Sequence, residues 1–377
     1  MRRLTLNVKK TISNGKITHR IFLDAADIPE EVRQQGIYFQ FSGTGQAPSL
    51  RVLDGYMFMF IFLAMSKYDE FVIRGPVSSR ALRNIRIYQE AWHCFLPDKY
   101  HICNIIADKV VSDWRLSLRK KETAIAAFSG GLDATFTALR HAGKSMDGDF
   151  YPLRRVVMVH GFDVGFDNEE GFNKLVKRTL PLIESLGLEI SFVRTNVRLY
   201  ELQVWGHSFA AQLAGILHQF SSEYGYGLIG SSEPYNHLYF PWGSTPATDY
   251  LLSGGSFEIV HEGAGYSRTE KAEFVAENEI ACRTLKVCWE GKNQHANCGI
   301  CEKCIRTRLN FMAIGTPDIA CFDSPFNSSM IDNIKINQAV QLKELITISE
   351  YAHKRKVREE WLLELDKMIN KNKYLLI

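Results

Sequence analysis

Ser129, Gly130, Gly131, Leu132 and Asp133 follow one another where a strand-like apolar run at 123–128 meets a helix-like run at 135–140. A small hydroxyl residue and two glycines at such a junction leave backbone N–H groups free at a helix N-terminus. Free amides backed by the helix dipole hold phosphate oxygens. Ordinary N-caps use the same residue types. The phosphate reading therefore needs support from elsewhere in the chain.

The second chemical group is sulfur. Cys298-Gly299-Ile300-Cys301-Glu302-Lys303-Cys304 places three thiols at two-residue gaps, and Cys288 can close a four-sulfur tetrahedron. Such spacing suits structural zinc, while repeated two-residue gaps also occur among iron–sulfur ligands. Cys282 and His295 are reserve ligands, and Cys94, Cys103 and Cys321 read as core cysteines. Clustering of this kind, in a chain this long without an apolar leader, favours a metal over disulfides.

Together these segments resemble the PP-loop ATP pyrophosphatase superfamily, and within it the 7-cyano-7-deazaguanine synthase family. The likeness is carried by Ser-Gly-Gly-Leu-Asp after a strand, then Lys271-Ala272-Glu273, Val287-Cys288-Trp289-Glu290, the cysteine knuckle and Arg308, in that order over about residues 120–315. Ala134 stands where the family's loop carries serine, and Thr135 is one position further round the helix. The first 118 residues have no counterpart in the family, and the 231–252 segment does not match its substrate loop.

The resemblance implies cleavage of ATP between the α and β phosphates by a ligase that forms C–N bonds. Ser129, Asp133 and Lys271 would be catalytic. Ser129, Gly130, Gly131, Leu132 and Asp133 would grip the phosphates. His160, Gly161 and Asp163 would lie beside the adenine, with Gly230, Ser231 and Arg268 opposite. Asp133 would act as a Mg²⁺ partner or as an anchor for the loop, and it also reads as a plain helix-start carboxylate. Zinc on Cys288, Cys298, Cys301 and Cys304 would be structural. The implied partners are a carboxylate or amide substrate, a deazapurine among them, and an ammonia-like nucleophile. Two other readings stay open: a nucleotide-binding module without turnover that engages a protein, and an RNA- or nucleobase-modifying enzyme.

The elements that must position these groups follow from periodicity. Strands are expected at 123–128, 155–160, 189–195, 227–230 and 257–261, with helices at 135–141, 169–186 (kinked or split by Pro181) and 204–224. Such alternation implies a mostly parallel, doubly wound α/β sheet, of the adenine nucleotide alpha hydrolase type if the resemblance holds. Gly225 to Gly230 fits a dinucleotide fingerprint on paper but leads into a strand instead of linking a strand to a helix, so it carries little weight. Residues 4–12 and 16–23 flank Asn14-Gly15, a hairpin signal. A helix at 53–67, strands at 70–74 and 100–106, and a helix at 79–95 complete an N-terminal α/β unit. Arg80, Arg83 and Arg86 there read as a solvated face. The expected organisation is thus 1–118, then a PP-loop domain at 119–317 with its knuckle at 288–304, then a helical extension at 318–377.

Composition bounds the rest. The 46% hydrophobic and 23% charged residues suit a folded chain with a core. A net charge of +3 gives no independent support for nucleic acid. The longest apolar run, 56–65, is too short to span a bilayer. No membrane partner and a cytoplasmic location are the expectations, with room for a homo-oligomer.

Overall fold

The structure is a computed structural model that describes residues 2–13, 15–43, 45, 48–118, 121–145, 150–288, 290 and 293–376. Asn14 of the hairpin signal and Trp289 of the motif lie outside the described residues. Ten strands are β1 (Arg3–Ser13), β2 (Lys16–Asp24), β3 (Ile37–Ser42), β4 (Glu70–Ser78), β5 (Asn104–Val111), β6 (Ala124–Ala127), β7 (Leu153–His160), β8 (Glu189–Thr195), β9 (Tyr226–Gly230) and β10 (Glu258–Glu262). They form one sheet in the order β10-β9-β6-β7-β8-β3-β2-β1-β4-β5. Pairing is parallel from β10 through β8, antiparallel from β8 through β1, and parallel again across β1, β4 and β5. The fold is α/β with a mostly parallel sheet.

Alternation along the central strands explains the two covered faces. Ile125, Val157, Val193, Ile229 and Ile259 pack with the helices Asp54–Met59, Ile61–Lys67 and Trp205–Leu217 on one side. Ala124, Ala126, Val156, Met158 and Leu228 pack with the helices Leu132–His141, Glu169–Ser185 and Arg268–Ala276 on the other. A period-2 chain buried on both faces is what a parallel sheet requires. Because β6 to β10 are mutually parallel, their carboxyl ends share one edge. The order reverses there between β6 and β9, the place where open α/β sheets leave a crevice.

Several elements depart from the sequence expectation. The 53–67 helix is broken at Phe60 into Asp54–Met59 and Ile61–Lys67. The Gln203 side chain accepts from the Leu63 N–H at 3.1 Å and donates to the Met59 carbonyl at 2.9 Å, which satisfies the groups around the break. The expected 100–106 strand is β5, beginning only at Asn104. Tyr100 packs on Phe62 and Trp92, and the Cys103 N–H bonds the Gln89 side chain, so this stretch is a loop pinned at Tyr100 and Cys103 with Ile102 exposed between them. β4 runs on past Gly75 to Ser78, with its register shifting between Ile73 and Pro76, where proline offers no N–H. Glu169–Ser185 continues through Pro181 as one helix, and the 204–224 helix ends at Leu217 in a 3₁₀ turn.

At the C-terminal end, the helices Ala339–Lys354 and Glu360–Asn372 pack against Glu302–Ala313 through Leu309, Leu345, Trp361 and Leu365. Leu363 faces solvent. Among the described residues, no helix is long and apolar enough to cross a membrane.

Candidate functional site

The Ser129–Asp133 segment lies where the strand order reverses, immediately after β6. Gly131 is the N-cap of Leu132–His141 and supplies no side-chain cap, so the first-turn N–H groups lack the usual acceptor. Ser129 is exposed, and its Oγ accepts from the Gly131 N–H at 3.3 Å, which shapes the loop. Gly130 has φ +78°, and a Cβ there would sit 2.8 Å from Thr179 Cγ2. Backbone conformation and close packing both require glycine.

Asp133 is held from two sides. Lys271 Nζ donates to Oδ1 at 3.1 Å, and Arg268 donates to Oδ2 at 3.2 Å. Burial opposes the Asp133 charge, but Lys271 and then Arg268 outweigh it, leaving the carboxyl below its ordinary value. With a donor on each oxygen, Asp133 anchors the loop. Lys271, 1% exposed, also donates to the Ser231 carbonyl and so ties the β6 loop to the end of β9. A Cβ on Gly230 would lie 3.0 Å from the Asp133 carbonyl oxygen, which explains glycine at that close approach. Lys271 is therefore a positioning residue.

The other residues named from sequence are placed as follows. His160 is buried, stacks on Phe172 at 4.7 Å and shares a hydrogen bond with the Gly165 carbonyl, and burial lowers its pKa. It is a packed core histidine. Gly161 lets the end of β7 pass against Thr195. The Ser231 hydroxyl donates to the Glu233 carbonyl and its N–H to Glu262. The structure brings Ser129 to Asp133, Gly230, Ser231, Arg268 and Lys271 together. It leaves His160 in the core and Asp163 exposed beside the loop.

Sequence reasoning missed the cations that complete this corner. Lys286 donates its backbone N–H to the Gly130 carbonyl at 2.8 Å, so the segment before Cys288 lies across the loop. Its side chain is 5% exposed, and burial lowers its pKa, with Asp163 the main opposing charge. Lys303 is lowered first by burial and then by Arg268, and Asp163 and Asp133 partly offset this. The only sequence signal was a lysine two residues before Cys288 and another directly before Cys304, and spacing could not show that the first lies against Gly130 and the second in the field of Asp163 and Asp133. Glu344, from Ala339–Lys354, lies 3.6 Å from Arg268 and is ion-paired to Arg306.

Cys288, Cys298, Cys301 and Cys304 form the second centre, their Sγ atoms all within 4.8 Å of one another. Cys288 and Cys301 are 3.7 Å apart, and Cys298 and Cys304 3.9 Å. One tetrahedral ion with metal–sulfur bonds of about 2.3 Å sets its sulfurs roughly 3.8 Å apart. The four thiols could therefore hold one zinc ion, and they sit too close together to enclose a multi-iron cluster. Asn297 organises the approach: its Oδ1 accepts from Val287 and Cys288 N–H groups, and its amide donates to Leu285 and Cys321 carbonyls. Cys282 is engaged with the Val275 carbonyl, and neither it nor His295 belongs to the cluster. Compared with known protein families, curated proteins and solved structures, the chain matches none.

Proposed function

We propose that this chain is an ATP-dependent adenylating enzyme of the PP-loop type, with a fold like that of the adenine nucleotide alpha hydrolases. A substrate carboxylate or amide oxygen attacks the α-phosphate, forming an adenylate and releasing pyrophosphate. An ammonia-like nucleophile then displaces AMP. A carboxylate gives an amide; in a second round the amide oxygen attacks the α-phosphate, and AMP then leaves by elimination as the nitrogen gives up its protons, so a nitrile forms without a second nucleophile, as the likeness to 7-cyano-7-deazaguanine synthases suggests.

One observation carries the reading. The uncapped first turn of Leu132–His141 sits at the reversal point of the sheet, beside a buried Lys286 that has no carboxylate at ion-pair distance among the described residues. An ammonium held in such a place costs solvation energy unless an anion joins it. Amides, helix dipole and lysine together suit a departing diphosphate. Mg²⁺ would accompany the nucleotide, with no ligand assigned to Asp133. Zinc on the four cysteines would fix the 285–288 segment that carries Lys286, without touching substrate.

Pyrophosphate and AMP are the products expected from ATP, Mg²⁺ and a panel of carboxylates with ammonia, and Gly131→Asp should abolish them. Formation of ADP and phosphate instead would overturn the reading. A second reading, nucleotide binding without turnover, draws on Ala134 and on the anchoring of Asp133 by Lys271 and Arg268. Tight ATP binding with no pyrophosphate exchange on any substrate would favour it.

A further inference from the structure

A cavity of about 430 Å³ opens beyond the carboxyl end of β8, outside the loop site. That volume is in the range of sites that enclose small organic ligands. Its walls come from three separate stretches of chain: the helix Ile61–Lys67, the loop at Lys99 and Tyr100, and the 197–205 connection into Trp205–Leu217.

The walls are preformed. Glu201 adopts φ +45° and reverses the connection. The Gln203 amide is fixed on both sides of the Phe60 break. Tyr100 is hydrogen-bonded to His207 at 2.8 Å and packs edge-on against Phe62. Three flat side chains, Phe62, Tyr100 and Trp205, therefore line a space whose shape does not depend on a ligand.

The charge on these walls is unbalanced. Lys67 is paired with Asp27 at 3.5 Å. Arg198 stacks over Trp205 at 4.2 Å and donates to the Phe162 carbonyl at 2.7 Å, a neutral acceptor. Lys99 is exposed at the rim. Among the described residues, neither Arg198 nor Lys99 has a carboxylate at ion-pair distance, although Glu201 is in the same lining. Gln212, also in the lining, donates to Ser208 while its Oε1 is buried without a donor.

We propose that this cavity binds a small planar anion: one aromatic ring system carrying a single carboxylate or phosphate. Trp205 would receive the ring, and Arg198 and Lys99 the anionic group. Phe162 packs on Trp205 at 4.9 Å, and the next residue, Asp163, is within reach of Lys286 and Lys303. The cavity and the loop are thus neighbours that do not share ligand-holding groups.

Calorimetric titration of the full chain with 2-aminobenzoate and AMP tests the proposal, with benzylamine and glutarate as planar-cation and non-planar-anion controls. At least one planar anion should bind with Kd below about 1 mM, and both controls should fail at that limit. Which of the two planar anions binds distinguishes carboxylate from phosphate. Lys99→Glu, at an exposed position, and Arg198→Gln should each weaken binding about tenfold or more. Gly131→Asp should leave it unchanged. Absence of binding by both planar anions, binding indifferent to both charge changes, or loss of binding in Gly131→Asp would each overturn the assignment. None of these readouts requires turnover of ATP, so they are separable from failure of the adenylating reading.

Discussion

Lys271 Nζ and Asp133 Oδ1 meet at 3.1 Å across 138 residues of chain. This buried contact joins the helix after β10 to the loop after β6, and through the Ser231 carbonyl to the end of β9. It holds the two sides of the sheet's reversal point against each other. Lys271→Met leaves Asp133 to Arg268 and deprives the Ser231 carbonyl of its donor, so it should cost about 1–3 kcal/mol, read as a lower urea midpoint with an unchanged denaturant slope. A loss below about 1 kcal/mol would show that Arg268 alone secures Asp133.

Lys286→Met should have opposite effects on stability and on anion binding. Replacing a buried ammonium that has no carboxylate at ion-pair distance among the described residues with a thioether of similar length removes a desolvation cost, so thermal stability should hold or rise. Affinity for pyrophosphate should fall about tenfold or more with the loss of a charge-assisted contact. Calorimetry with pyrophosphate, alongside a melting curve, checks both signs.

Ala134→Ser restores a hydroxyl in the first helical turn. If that hydroxyl reaches a phosphate oxygen, binding of ATP should strengthen by about 1.5–3 kcal/mol, roughly ten- to a hundredfold. Equal affinity in the two proteins would show that the loop's amides and lysines already complete the site.

Glu233 gives a pH signature. Burial raises its carboxyl from 4.5 to about 7; Arg268 opposes the shift, and Glu344 and Asp133 add to it. The folded chain keeps a proton that the unfolded chain releases near 4.5. This contribution to stability is complete below about 4.5 and is lost as pH rises toward 7. Glu233→Gln should remove that part of the slope, so the difference between the two proteins in urea titrations at pH 5 and pH 8 isolates it.

The thiol cluster should carry one zinc per chain by elemental analysis. Cys301→Ser or a strong chelator should abolish it and lower the melting temperature, because metal binding is linked to folding of its ligands. Since Lys286 and the 285–288 segment lean on this centre, pyrophosphate affinity should fall as well. Full affinity in metal-free protein would separate the two sites.

The chemistry-bearing residues were legible in the sequence because they are local. Ser129 to Asp133 need only a strand end and a helix start, and three of the four thiols lie within seven residues. Strand periodicity likewise marked β6 to β10, since burial on both faces leaves near-continuous apolar runs. Tertiary structure decided the remainder. Gln203 accommodates the broken 53–67 helix from 140 residues away, and the stretch from Tyr100 to Cys103 is held by the distant side chains of His207 and Gln89 and not by a strand ladder. Lys286, Lys303 and Glu344 could not be assigned from spacing, because their role depends on where distant segments meet the loop and the Arg268 that anchors it. A sequence shows which groups can bond an anion, whereas desolvation and the distance between charges, which set how strongly they do so, arise only when the chain packs.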